Sequence, residues 1–499
     1  MHQTTLNLAL LAGAGVLLVA LGAVRLALRI GVPGLLLYLA IGIAIGEDGL
    51  GLHFDNVQTA RDIGLIGLAL ILAEGGLTTR WEEIKPGAAL AATLATWGVA
   101  VSVGVTTVIA HYAIDVDWRA AALIGAVVSA TDAAAVFSTL RNLRLPRHLA
   151  GLLEAESALN DAPTAILVTV LAERNAGSIA HAAGTIVYQI VVGFGIGVVI
   201  GFVAATALRR IALPAVGLYP IGTLAFAIAS YAAAAASGAS GFLAVYVTGV
   251  WLGSTALPHR RSTLGFAEGV GWLAQIGLFV MLGLLVTPSR LGGAILPALA
   301  VGGGLLLVAR PLSVLLSAVW FRIPLREQAF ISWAGLRGAV PIVLTTIPLT
   351  TGVHGASRVF DTVFVLVVVF TLIQAPVLPP MVRRLKLAVP VSSRELSVEA
   401  APLDELYADL LEVTVTAQSR IRGVEVWELR LPQGAAVVLV VREGRAFVPE
   451  PHTVLQVPDE LLIVVTHEVR AATEQRLQAV SEGGRLARFT GRGLPAQDG

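Results

Sequence analysis

Thirteen mostly apolar stretches, each 17–28 residues long, follow one another through the first 380 residues of this 499-residue chain. They fall near 6–24, 31–47, 60–78, 88–111, 119–140, 150–172, 183–208, 214–234, 239–257, 266–287, 293–320, 328–350 and 357–380. A helix needs about 20 such residues to cross the hydrocarbon of a bilayer. Only structures that satisfy their own backbone hydrogen bonds can do so. Charged residues make up 13% of the chain, against about 25% in an ordinary soluble domain. These features exclude both a soluble fold and disorder, which needs low hydrophobicity and high net charge. The expected class is an all-α polytopic membrane protein with about 13 transmembrane helices. The chain has no cysteine, which excludes a disulfide scaffold or a Cys-ligated metal. A net charge of +1 gives no basis for nucleic-acid binding.

Basic residues orient the spans. With the amino terminus outside, the inner loops hold 16 Lys and Arg, from Arg25 and Arg29 through to Lys386, and the outer loops hold 5. Such a bias is the positive-inside rule, and one missing helix would scramble it. The expected location is therefore the cell (inner) membrane, multi-pass, with the amino terminus outside and the carboxyl terminus cytoplasmic. Trp81, Trp118 and Trp320 sit near span ends, as interfacial aromatics do. The glycines at 193, 195, 197 and 201 read as close helix packing.

Ionisable groups inside spans are expensive and mark function by default. Those deepest in the spans are Glu74, Asp132, Glu156, Asp161, Arg310 and Arg337, and all nine His lie in loops or at span ends. On a helix, Glu156 and Asn160 share one face and Ser157 and Asp161 the next, giving one polar sector. Two Gly and Pro341 bracket Arg337, which suits an interrupted helix. Thr131 and Asp132 can bond to backbone exposed where the fifth span unwinds. The fifth and twelfth spans are seven apart, so they run in opposite directions. Paired broken helices of that kind point to inverted repeats and a midplane site. Asp161, mid-span and without a sequence-local cation, is the expected carrier of the ion. Arg310 is expected to snorkel to the inner face, and Glu74 to line an entrance. Glu154 and Glu268 lie nearer the inner ends of their spans.

Thr131-Asp132, Glu156-Ser157-x-x-Asn160-Asp161 and Gly335-Leu-Arg337-Gly338-Ala-Val-Pro341, in that order, resemble the NhaP-type monovalent cation/proton antiporters over about residues 6–386. The resemblance implies crossed broken helices and a homodimer through the membrane domain. It implies that Asp161 binds cation and proton in turn, helped by Thr131 and Ser157, with Asn160 beside it and Asp132 at the crossing. It also implies that Glu156 pairs with Arg337. Family members often have Pro where this chain has Ala133. One such carboxylate implies electroneutral exchange of K⁺ or Na⁺ for H⁺, with no cofactor, and loss of transport at acid pH.

Residues 387–499 carry 27 of the 67 charged residues and read as a small water-soluble α/β cytoplasmic domain. The expected parts are a membrane domain at 1–386, a linker at 387–403, a strand-rich domain at 404–470, and a helix with a disordered tail at 471–499. Strands are expected at Leu410–Thr416, Gly423–Leu431, Gly434–Val441, Ala446–Pro449 and Leu461–Val465, and a helix near 467–481. The pattern from Val424 to Val465 resembles the C-terminal half of the ligand-sensing domains on potassium channels and transporters (RCK or TrkA C-terminal type). Some of those domains bind cyclic dinucleotides. No ligand is assigned here, though a small-molecule regulator would fit. With this tail, the resemblance favours the potassium/proton subfamily over a Na⁺ or Li⁺ antiporter. A potassium channel would need a filter of backbone carbonyls, and no such segment is present. An intramembrane protease built on Asp132 and Asp161 would leave Asn160 and Ser157 without work. An ion sensor would bind ions without moving them.

Overall fold

The structure is a computed structural model that describes residues 2–30, 33–54, 56–132, 135–136, 139–140, 145–173, 179–211, 213–388, 398–403, 408–415, 419–442 and 445–483. Ala133 and the tail beyond 483 lie outside the described residues. Contacts divide the chain into two compact units, Met1–Ala388 and Val389–Gly499.

The described residues of the first unit are mostly helical, with no strand among them. Its elements are α1 (His2–Ile30), α2 (Gly34–Ile45), α3 (Val57–Thr78), α4 (Ala88–Ile114), α5 (Trp118–Ser129), α6 (Arg147–Ala172), α7 (Ile179–Arg210), α8 (Leu218–Ala236), α9 (Gly241–Gly253), α10 (Arg260–Leu284), α11 (Pro288–Phe321), α12 (Leu325–Ala334), α13 (Ala339–Thr350) and α14 (Ala356–Arg384). Each expected span contains described helix, though in the fifth α5 stops at Ser129 and in the second α2 covers only Gly34–Ile45. Among the described residues, six helices are long and apolar enough to cross a bilayer, or seven if the bent pair α12–α13 is one span. The helices α2, α5 and α9 are apolar but shorter.

Small residues bring these helices close. A Cβ on Gly76 of α3 would meet the Gly249 backbone of α9 at 3.0 Å, so the two helices touch through backbone, as small residues permit. Of the four glycines singled out in α7, three press on α9 or its leading turn, while Gly195 faces open space.

Irregularities recur seven spans apart. The fifth and twelfth are interrupted, at 130–132 and 335–338. The fourth and eleventh each contain a five-residue π-turn, Leu94–Gly98 and Leu305–Ala309. Such turns interrupt helices at functional places. Ser313 donates to the Gly98 carbonyl at 2.7 Å.

The second unit is a five-stranded antiparallel sheet in the order β1-β2-β5-β3-β4. The strands are β1 (Val398–Leu403), β2 (Ala408–Thr414), β3 (Ala435–Arg442), β4 (Arg445–Phe447) and β5 (Glu460–Thr466), followed by α15 (Arg470–Gly483). Leu411, Val413, Val440, Leu461, Ile463 and Val465 form its core with Leu477 and Val480 of α15. Two local expectations are corrected. Part of the expected linker is strand β1, and 389–397 lies outside the described residues. The expected strand Gly423–Leu431 is instead a tight 3-10 turn at Val426–Leu429. Glu425 and Glu428 cap each other's backbone there, and a reciprocal cap of that kind closes a turn. Asp459 is fully buried. It accepts two hydrogen bonds from Arg442, both 2.8 Å, and one from the Gln456 amide.

Candidate ion-binding site

The site starts from two helices that stop short. Helix α5 ends at Ser129, where Ala130 turns extended. Helix α12 ends at Ala334, and α13 resumes at Ala339 with a 50° bend. Each stop exposes carbonyls on one side and amides on the other. The two unwound stretches meet: the Asp132 amide donates to the Leu336 carbonyl at 2.8 Å.

Two charged side chains cap the broken ends. Asp132 accepts from the Ala135 amide at 3.2 Å, at the start of the resumed helix. Its other oxygen lies against Gly338, the residue before α13. Arg337 serves the opposite ends: its Nε donates to the Val128 carbonyl at 2.9 Å and its Nη1 to the Gly335 carbonyl. Thr371 of α14 in turn donates to the Arg337 carbonyl at 3.1 Å. A carboxylate at helix starts and a guanidinium at helix ends each oppose the helix dipole.

A Cβ on Gly338 would overlap the Asp132 carboxylate. Gly338→Ala is therefore expected to part the crossing and reduce exchange at least about tenfold, since one displaced buried hydrogen bond to a charge is worth roughly 1.5–3 kcal/mol. Dye-reported flux in proteoliposomes, with protein quantity matched, measures this.

Helix α6 clamps the first crossing strand. Ser157 donates to the Thr131 carbonyl at 2.9 Å, and the Asn160 amide donates to the Thr131 hydroxyl at 2.7 Å. Asn160 is 1% exposed and Asp161 4%. One oxygen of each, Asn160 Oδ1 and Asp161 Oδ1, is buried without a hydrogen-bond partner. Among the described residues Asp161 has no ion-pair partner. Buried polar atoms ordinarily find partners, so these oxygens are the expected place for a bound cation or proton. The structure thus brings Thr131, Asp132, Ser157, Asn160 and Asp161 into one cluster.

The ion pair is corrected. Glu156 binds Arg310, through contacts of 2.6 Å to Nη1 and 2.9 Å to Nη2. Arg337 takes the helix carbonyls instead. Arg310 does not snorkel outward: it is 4% exposed and also reaches the Ile331 carbonyl at 3.4 Å. The π-turn Leu305–Ala309 ends at Arg310. Its wider turn shifts the helix face, which is how a residue late in the span points inward. The signal was present: Ser313 and Ser317, three and seven residues on, are both buried and share its face.

A cavity of about 230 Å³ opens on this cluster. Thr131, Asp132, Ser157 and Asp161 line it, together with Glu74, Thr78, Thr79, Glu154, Tyr246 and Gln275. Among the described residues no group of three His, Cys, Asp or Glu is placed to hold a metal ion between them. A monovalent cation would instead take the carboxylate of Asp161 with hydroxyl and amide oxygens around it.

Crossed interrupted helices over a buried, unpaired carboxylate define a multi-pass membrane carrier for small cations. Residues 16–384 match the family described as "Sodium/hydrogen exchanger, transmembrane", and residues 410–478 match the TrkA-C domain. The chain belongs to the sodium/hydrogen exchanger family. It is 38% identical over 473 residues to the K(+)/H(+) antiporter NhaP of Alkalimonas amylolytica, covering 92% of this chain and 81% of that protein. It is 35% identical over 476 residues to the K(+)/H(+) antiporter NhaP2 of Shewanella oneidensis, covering 93% and 82%. The sodium proton antiporter MjNhaP1 of Methanocaldococcus jannaschii has the same fold, with a TM-score of 0.66 at 20% identity over 76% of this chain and 99% of that one.

Proposed function

We propose that this chain exchanges cytoplasmic K⁺ for H⁺, one for one, by competition of the two at Asp161. The observation that carries the reading is the buried Asp161 oxygen with no partner beside a cavity. Thr131, Ser157 and Asn160 complete the site and Asp132 holds the crossing. Potassium is favoured because relatives named K(+)/H(+) antiporters align along more than nine-tenths of the chain, including the TrkA-C region. Sodium is the second reading. It is favoured by the name of the structural neighbour and by the 26% identity to the Na(+)/H(+) antiporter NhaS2 of Synechocystis over 65% of this chain. The chain works as a homodimer in the inner membrane, amino terminus outside and carboxyl terminus cytoplasmic, and its second unit receives a small-molecule regulator.

Proteoliposomes with a trapped pH dye test the ion: K⁺ should relieve an acid interior more than Na⁺ or Li⁺ does. A sodium preference would keep the exchange and discard potassium. Electroneutrality has its own test. If Asp161 carries one cation or one proton, no net charge crosses, and the membrane potential, which acts at about 2.3 kcal/mol per charge per 100 mV, does no work. Exchange should then be unchanged when a voltage clamp sets the potential across the liposome membrane at fixed K⁺ and H⁺ concentrations. A rate that follows the imposed voltage would overturn one-for-one exchange.

A further inference from the structure

Between Glu173 and Glu268 the chain holds no Asp or Glu. That stretch runs from α7 into α10 and carries two basic pairs, Arg209-Arg210 ending α7 and Arg260-Arg261 opening α10. Tyr219 of α8 brings the pairs together. Its hydroxyl donates to the Ile211 carbonyl at 3.2 Å, just past the first pair. Its ring centroid stands 5.0 Å from that of His259, just before the second. Leu208 and Leu264, within a turn of the pairs, pack with Tyr219 in one apolar cluster. Arg260 is taken up by the Gly253 carbonyl at 3.1 Å. Arg209, Arg210 and Arg261 are exposed, and among the described residues they have no ion-pair partner. The helix dipole welcomes cations at the end of α7 but opposes Arg261 in the first turn of α10. The positive-inside rule accounts for the sign of these charges, not for three unpaired guanidiniums on either side of one ring.

The helix surface leading away from them is apolar. Phe202 and Val203 stand seven residues before Arg209 and Arg210, so each shares a face with its arginine, about 10 Å deeper along the axis. They are 59% and 49% exposed. Trp251 of α9 lies over Gly201, its Cβ 2.8 Å from where a side chain there would begin, and its ring meets Phe202 edge-on. Trp251 thus walls one side of the strip. Guanidiniums bind phosphate through paired hydrogen bonds, and the strip below them accepts hydrocarbon. We propose that Arg209, Arg210 and Arg261 form a site for one anionic phospholipid, with its phosphate on the guanidiniums and an acyl chain along Phe202 and Val203 against Trp251. A zwitterionic lipid carries an amine that cancels its phosphate, so three unpaired cations select a headgroup of net negative charge.

Native mass spectrometry of the delipidated full-length protein, titrated with phosphatidylglycerol or phosphatidylcholine in detergent, tests this. Wild type should bind phosphatidylglycerol at least about tenfold more tightly than phosphatidylcholine, since a basic residue near an anionic surface is worth about 1 kcal/mol. Replacing Arg209, Arg210 and Arg261 together by Gln should remove that preference and weaken phosphatidylglycerol binding about a hundredfold. Arg261→Gln alone should weaken it about fivefold, and it carries the test if the triple variant is unstable. Arg383→Gln with Arg384→Gln removes another exposed basic pair, at the end of α14, and should leave phosphatidylglycerol binding unchanged. In phosphatidylcholine the triple variant should denature at the wild-type temperature, which separates lost binding from lost fold. Equal wild-type affinity for the two lipids overturns the proposal. So does phosphatidylglycerol binding that ignores the triple substitution, or one weakened as much by loss of Arg383 and Arg384. A triple variant that falls from dimer to monomer in both lipids would make this face a contact between copies and would also overturn it.

Discussion

Asp161→Asn should reduce exchange to the level of protein-free liposomes for K⁺, Na⁺ and Li⁺ alike. Asparagine keeps the shape and a carbonyl oxygen but can neither bind a proton nor offset a cation's charge. A cation would then enter the buried site uncompensated, and isolated charges in a low-dielectric interior are strongly disfavoured. The protein should still fold, because among the described residues Asp161 takes part in no ion pair and its Oδ1 bonds to nothing that the substitution would orphan. Wild-type exchange should fall at acid pH in a manner relieved by more cation, since the two ligands compete for one oxygen. A decline that saturating K⁺ leaves untouched would rule out competition. Residual, cation-selective exchange by Asp161→Asn would move the transport site elsewhere.

The second large effect concerns Glu156. Arg310→Met should destabilise the detergent-solubilised protein by about 3–5 kcal/mol, the usual result of leaving one member of a buried ion pair behind. Glu156→Gln should do much the same from the other side. The double variant Glu156→Gln with Arg310→Met should be less unstable than the two single effects added together, with a coupling of up to roughly 3 kcal/mol. The corresponding cycle between Glu156 and Arg337 should show less coupling, because Arg337 is held by the Val128 and Gly335 carbonyls. Thermal denaturation of all six proteins decides between the partners. Stronger coupling to Arg337 would restore the pairing implied by family resemblance.

The contrast shows what was legible in the sequence. Composition and spacing located the helices, because a bilayer imposes length and apolarity on each span. They located Asp161 and its neighbours because an ionisable residue mid-span is conspicuous. The partner of Glu156 depended on azimuth. Reading Arg310 as outward assumed a regular helix, and the π-turn before it broke that assumption. The role of Arg337 was hidden for a related reason. Its partners are backbone carbonyls freed by a break in another span, and such acceptors have no letter in the sequence. In the second unit, Gly423–Leu431 alternates like a strand, but the side chains of Glu425 and Glu428 cap the backbone locally. Glu154 and Tyr246 lie 92 residues apart, and only packing brings them to one cavity.

The unpartnered Asp161 oxygen has a consequence for leak. At the crossing, Asp132 and Arg337 balance the broken helix ends, and Glu156 is balanced by Arg310. Asp161, beside them, has no such partner among the described residues and needs a visitor to neutralise it. An empty site would have to cross the hydrophobic middle of its cycle carrying a bare negative charge, and that barrier is steep. With Asp161 as the proposed transport site, the return journey is closed unless a cation or a proton is aboard. Tight coupling in such a carrier follows from one missing bond: the vacant seat cannot travel.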